Sequence, residues 1–144
     1  MPSGGSQGGT IIFITGNGSV APFQWQSKKL PRVAKSSLAA ETQSIAETGD
    51  MASFAAEMIK EVFAIKSPPV KILTDSKSFI DHLAAKNIIS DKRMRIDMAR
   101  IREMLSLNEI EVGFVPTEKQ LADPLTKIGA SVVQLRTVLQ TGKL

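Results

Sequence analysis

The sequence predicts a mixed α/β domain, and three observations predict it. The chain opens with runs of β-branched residues around a tight-turn pair. A long capped amphipathic stretch follows, and short apolar strands then alternate with helical segments. The length of 144 residues suits one domain. Hydrophobic residues at 42% and charged residues at 22% are ordinary for a packed chain.

Residues 1–9 (MPSGGSQGG) read as a flexible leader, and residues 10–144 as the folded domain. A first strand is expected at Thr10–Thr15, where Ile11, Ile12 and Ile14 favour extended backbone. Gly16-Asn17-Gly18 supplies the positive φ of a hairpin turn. The return strand, Ser19–Ser27, carries Pro22, which marks an irregularity or an edge. A short third strand is expected at Arg32–Lys35. Ser36-Ser37 is a helix-start signal for a helix over Leu38–Ile65. Its apolar stripe is Met51, Phe54, Met58, Val62 and Ile65, and Gly49 is expected to bend it. Beyond Pro68-Pro69, Val70–Thr74 reads as a buried strand and Ser76–Ala85 as a helix. Lys92–Leu107 is a second helix, with Met94, Met98, Ile101 and Leu105 on one face. Ile110–Val115 is a strand closed by Pro116. Helix is expected from there to the end, split at Gly129 and restarted at Ser131, with Val132, Leu135 and Leu139 as its stripe.

Composition excludes several chemistries. With no cysteine there is no disulfide scaffold, zinc-thiolate site, iron–sulfur cluster or cysteine nucleophile. The single histidine, His82, rules out a His-rich metal site. No apolar run approaches the ~20 residues of a membrane span, and the Gly/Ser-rich start is unlike a signal peptide. The net charge of +4 is compatible with a polyanionic partner.

Metal-assisted phosphodiester cleavage needs carboxylates that converge at strand ends and helix starts, where hard oxygen ligands can share two Mg²⁺ ions. Three acids sit at such positions: Glu41 early in the long helix, Asp75 at the end of the VKILT strand, and Asp123 before Pro124. Each has a structural alternative. Asp75 and Asp123 are equally readable as N-caps, and Glu41 as a charge that complements a helix N-terminus.

Three stretches together resemble the ribonuclease H domain of copia-type retrotransposon polyproteins. The first is Trp25-Gln26-Ser27-Lys28-Lys29 with Arg32-Val33-Ala34-Lys35-Ser36-Ser37-Leu38-Ala39-Ala40-Glu41. The second is Ile72-Leu73-Thr74-Asp75-Ser76-Lys77-Ser78. The third is Val115-Pro116-Thr117-Glu118-Lys119-Gln120-Leu121-Ala122-Asp123-Pro124-Leu125-Thr126-Lys127. The helix from Asp91 through Asp97 to Glu103 is similar to the family's "R-x-K-x-I-D" helix. The resemblance implies a ribonuclease H-like mixed sheet with flanking helices, and hydrolysis of the RNA strand of an RNA–DNA hybrid. It implies Mg²⁺ or Mn²⁺ held by Glu41, Asp75 and Asp123 as catalytic ligands. It also implies reverse transcriptase and other parts of the same polyprotein as partners, an intracellular location and no membrane. Asp97, beside Arg95 and Arg100, reads equally as an ion-pair or surface residue.

One departure from the family stands out. The family's first catalytic Asp lies on an opening central strand, in a segment like "D-A-x-x-A", whereas no acid precedes Glu41 here. The expectation is an α/β fold with that central strand missing and impaired catalysis. The chain would be a fragment, a degenerate reading frame, or a domain completed in trans by a strand from a partner or from a second copy, giving a strand-exchanged homo-oligomer. The alternative function is a non-catalytic remnant that binds nucleic acid or pairs with a partner strand.

Phosphate contacts are expected from Lys28, Lys29, Arg32 and Lys35 near the second turn, and from Arg93 and Arg95. Arg93/Arg100 and Arg95/Arg102 are seven apart, which places each pair on one helix face. Aromatics are scarce, at 5% with no tyrosine. Trp25 and Phe23 read as core residues, no stacking platform is visible, and His82 reads as a surface or capping residue.

Overall fold

Among the described residues the order is β1 (Gln7–Gly16), β2 (Ser19–Lys29), α1 (Ser37–Phe63), β3 (Lys71–Thr74), α2 (Lys77–Ala84), α3 (Lys92–Ser106), β4 (Glu111–Phe114) and α4 (Val133–Thr141). This is the mixed α/β class that the sequence predicts. The computed structural model describes residues 7–30, 36–85, 89–116, 119–122 and 133–143. The strand expected at Arg32–Lys35, the split at Gly129 and the cap at Ser131 lie outside them. The chain divides into two units, Met1–Val33 with Pro116–Leu144, and Ala34–Val115. The described strands form two separate two-stranded sheets, β1–β2 and β3–β4.

In the first unit, Asn17 and Gly18 have φ of 50° and 77°. Two positive φ values in a two-residue loop match the right-handed twist of the strands they join. The antiparallel register runs from Gly16↔Ser19 to Gln7↔Lys29 and slips between Ile12 and Phe13. Ile12 faces Gln24 and Phe13 faces Pro22, so Phe23 is the extra residue of a bulge beside a proline that cannot donate to the ladder. The C-terminal end of α4 is tied to the hairpin, because the Val20 N–H donates to the Gly142 carbonyl at 2.7 Å. Val138 is the buried residue of α4, whereas Leu139 on the expected stripe is exposed. The expected burial of Trp25 is corrected: it pairs with Ile11 but is 66% exposed. A two-stranded ribbon has little apolar mass to cover its own faces. Val20, Leu30 and Val138 are the buried hydrophobics of this unit among the described residues.

In the second unit, α1 starts where the hydroxyl signal places it. Ser36 is the N-cap, and its Oγ accepts from the Ala39 N–H at 3.1 Å. The helix ends at Ala64, whose φ of 50° is left-handed. The face it buries differs from the one expected. Ala39, Ile45, Ala46, Gly49, Ala52, Ala55 and Ala56 are buried, whereas Phe54, Met58, Val62 and Ile65 are exposed, Phe54 at 71% and Val62 at 70%. The large residues form a stripe, as periodicity requires, but it lies on the side opposite the core. The small face wins because α3 supplies the volume: Met94, Met98, Ile101 and Met104 are all buried. Gly49 does not break the helix. A Cβ there would lie 2.7 Å from Met104 Cε and 3.7 Å from Ile72 Cδ1, so its role is close approach.

β3 and β4 pair in parallel from Lys71↔Glu111 to Thr74↔Phe114. Ile72 and Thr74 are buried and alternate with exposed Lys71 and Leu73, the two-residue period of a half-covered strand. Asp91 caps α3 by accepting from the Arg93 and Met94 N–H groups. Arg100 bridges α1 and α3 through Asp50 at 3.0 Å and Glu103 at 3.1 Å. Its pKa is raised, first by the Glu103 hydrogen bond and then by that of Asp50. No helix of the described residues is long and apolar enough to cross a membrane.

Chemical denaturation tests which face is the core. Met98→Ala is expected to cost about 2–5 kcal/mol of unfolding free energy, and Phe54→Ala no more than about 0.5 kcal/mol. Gly49→Val is expected to cost about 1–3 kcal/mol by overpacking.

Candidate functional site: a carboxylate pair at the end of β3

Thr74 is the last residue of β3 and is 1% exposed. A hydroxyl buried to that extent needs partners. It accepts from the Ser76 N–H at 3.1 Å and donates to Glu41 Oε1 at 2.9 Å. The lone pair used by Ser76 leaves the hydroxyl proton for the carboxylate. This relay pins Glu41, on α1, to the C-terminal end of β3 across 33 residues of sequence. Asp75 is the next residue along and is half-buried. The Glu41 carboxylate is thus hydrogen-bonded to the residue that immediately precedes Asp75.

The capping alternatives for these two acids are corrected by the geometry. The N-cap of α2 is Ser76, whose Oγ accepts from the Phe79 N–H at 3.2 Å, so Asp75 does not cap it. The N-cap of α1 is Ser36, and the first turn of that helix holds no acid, so Glu41 stands beyond the helix start. Asp75 instead precedes the N-terminal end of α2, where the helix dipole favours an anion. Asp123 lies outside the described residues. Among the described residues no group of three or more His, Cys, Asp or Glu side chains could hold a metal ion. The donor set that is present fits a hard cation. Mg²⁺ is commonly held by one or two carboxylates, with substrate phosphates and water completing its shell.

The expected basic helix stripe divides in two. Arg93 and Arg95 are exposed in the first turn of α3. Arg100 is engaged by Asp50 and Glu103. Arg102 Nη2 donates to the carbonyls of His82 and Ala85, at 3.0 and 2.9 Å, and so closes the C-terminal end of α2. His82 Nδ1 lies 2.9 Å from the Ser78 carbonyl, a contact within its own helix. Asp97 is half-buried on α3. Lys28 and Lys29 are exposed at the end of β2, in the first unit, while Arg32 and Lys35 lie outside the described residues.

Sequence reading missed Thr74. A polar residue closing an otherwise apolar strand, directly before Asp75, was the available signal. Thr74→Val leaves the Ser76 N–H without its acceptor and removes one hydrogen bond from the Glu41 carboxylate. It is expected to lower the unfolding free energy by about 1–3 kcal/mol in urea titrations, with Thr74→Ser retaining most of the wild-type value.

No protein-family model and no solved structure matches the chain. Two curated proteins of Arabidopsis thaliana do. The retrovirus-related Pol polyprotein from transposon RE2 is 30% identical over 83% of this chain. The corresponding polyprotein from transposon RE1 is 31% identical over 85%. The chain spans 9% and 8% of their lengths. Its sequence similarity is thus to a single short segment of retrotransposon-related Pol polyproteins.

Proposed function

We propose that the chain is a ribonuclease H-like domain of copia-type descent that hydrolyses the RNA strand of RNA–DNA hybrids, with turnover impaired in this chain. The observation that carries the reading is the Thr74–Glu41 hydrogen bond, which brings the Glu41 carboxylate to the strand end where Asp75 stands. Similarity to retrotransposon Pol polyproteins over most of the chain supports it. Glu41 and Asp75, with Asp123, would hold Mg²⁺ or Mn²⁺. When bound, the metal supplies an activated water and charge stabilisation for the leaving oxygen. Thr74 fixes the rotamer of Glu41, so that one ligand oxygen is oriented before any substrate arrives. Arg93, Arg95, Lys28, Lys29, Arg32 and Lys35 are the proposed phosphate contacts. Reverse transcriptase and other parts of the same polyprotein are the proposed partners. Impaired turnover is proposed of this chain taken by itself, whose residues 1–40 contain no Asp or Glu.

A second reading is a non-catalytic remnant that binds nucleic acid, in keeping with the lack of an acid in residues 1–40 of this chain and with the exposed Arg93 and Arg95. A cleavage assay on a labelled hybrid separates the two. Weak Mg²⁺- or Mn²⁺-dependent loss of the RNA strand is expected, falling to background in Asp75→Asn and in Glu41→Gln. Cleavage no greater than that of Glu41→Gln, together with salt-sensitive hybrid binding, establishes the remnant instead.

A further inference from the structure

The net charge of +4 is not spread evenly. Residues 1–33 and 116–144 hold seven Lys/Arg against two Asp/Glu, a net of +5. Residues 34–115 hold eleven against twelve, a net of −1. The attraction to a polyanion therefore resides in the hairpin unit, whose first 33 residues carry Lys28, Lys29 and Arg32 and no acid. The same unit displays the chain's one tryptophan on a strand, 66% exposed. Trp25 pairs with Ile11, and the two-residue period of β2 puts Trp25 and Lys29 on one face of the ribbon. They are about 13 Å apart along the strand, four residues at about 3.3 Å each. Pro22 and the bulge at Phe23 keep this stretch irregular on its turn side, leaving Trp25 to Lys29 as its regular part.

We infer that this face of the β1–β2 ribbon binds single-stranded nucleic acid, with Trp25 stacking on a base and Lys29 on a flanking phosphate. An indole face accepts any base. It can do so only where the base is unstacked from its neighbours, which selects a single strand over a duplex. Lys29 provides sequence-independent attraction that weakens with salt. The inference is independent of the carboxylate site, since none of its residues is shared with Glu41, Asp75 or Asp123.

The full chain contains one tryptophan and no tyrosine, so its intrinsic fluorescence reports Trp25 alone. In EDTA, where no metal-dependent cleavage can run, titration with oligodeoxythymidylate or its RNA counterpart is expected to quench that emission saturably. Trp25→Ala, followed by polarisation of a labelled oligonucleotide, is expected to weaken binding about 5- to 140-fold. Trp25→Phe should restore most of the affinity. Lys29→Ala should reduce the salt-dependence slope by about 0.7. Ile14→Ala, on the opposite face of β1, should change nothing. Any of four results overturns the inference: no quenching, unchanged affinity in Trp25→Ala, equal affinity for a duplex, or a blue-shifted emission showing that protein already covers the indole. Failure here leaves the cleavage assay unaffected, and failure of that assay leaves this one unaffected.

Discussion

The close approach of α1 to α3 is the constraint on which the second unit depends. It exists because α1 presents small residues, with Gly49 against Met104 at its tightest point, while α3 presents long flexible ones. Methionine side chains fill an irregular seam without demanding a particular shape from the opposing helix. The same seam sets the height of β3 beneath α1, because Ile72 reaches the Gly49 contact from the sheet side. Two residues further along β3, Thr74 meets Glu41. The position of Glu41 beside the end of β3 is therefore a consequence of core packing. The helix that carries one carboxylate and the strand that carries the other are held by one hydrophobic cluster.

Burial of Thr74 connects stability to chemistry. A nearly inaccessible hydroxyl is costly unless its hydrogen-bonding capacity is used. The Ser76 N–H meets one and the Glu41 carboxylate the other. With Ser76 acting as the α2 cap, the Asp75 side chain is relieved of the role that its position suggests. Neighbouring residues thus divide the work: Thr74 hydrogen-bonds Glu41, and Ser76 caps the start of α2.

The two units are also electrostatically different. The hairpin unit is basic and thinly packed. The helical unit is close to neutral, and its arginines largely serve the fold: Arg100 joins α1 to α3, and Arg102 closes α2. Guanidinium groups suit both tasks because their planar donor fork reaches two acceptors at once. Arg93 and Arg95, one turn or more away on the same helix, are left for solvent or ligand.

Local chemistry wrote much of this fold into the sequence. The Asn17-Gly18 turn, the Ser36 and Ser76 caps, the strand at VKILT and the Met94–Met98–Ile101 face all follow from short-range rules, since backbone sterics, hydrogen-bond capacity and period act within a few residues. The motifs around Glu41 and Asp75 marked them as a pair, and Asp123 as a third member lying outside the described residues. Tertiary structure alone decided which face of α1 is buried. The stripe Met51, Phe54, Met58, Val62 and Ile65 is the more hydrophobic, but the opposing helix had already supplied the bulk, so small residues went inside. It alone decided that Gly49 marks a close approach, that Trp25 faces solvent, and that Thr74 hydrogen-bonds Glu41 from far along the chain. Each of these depends on how much volume and how many partners a distant segment brings, and a period along one segment carries no record of that.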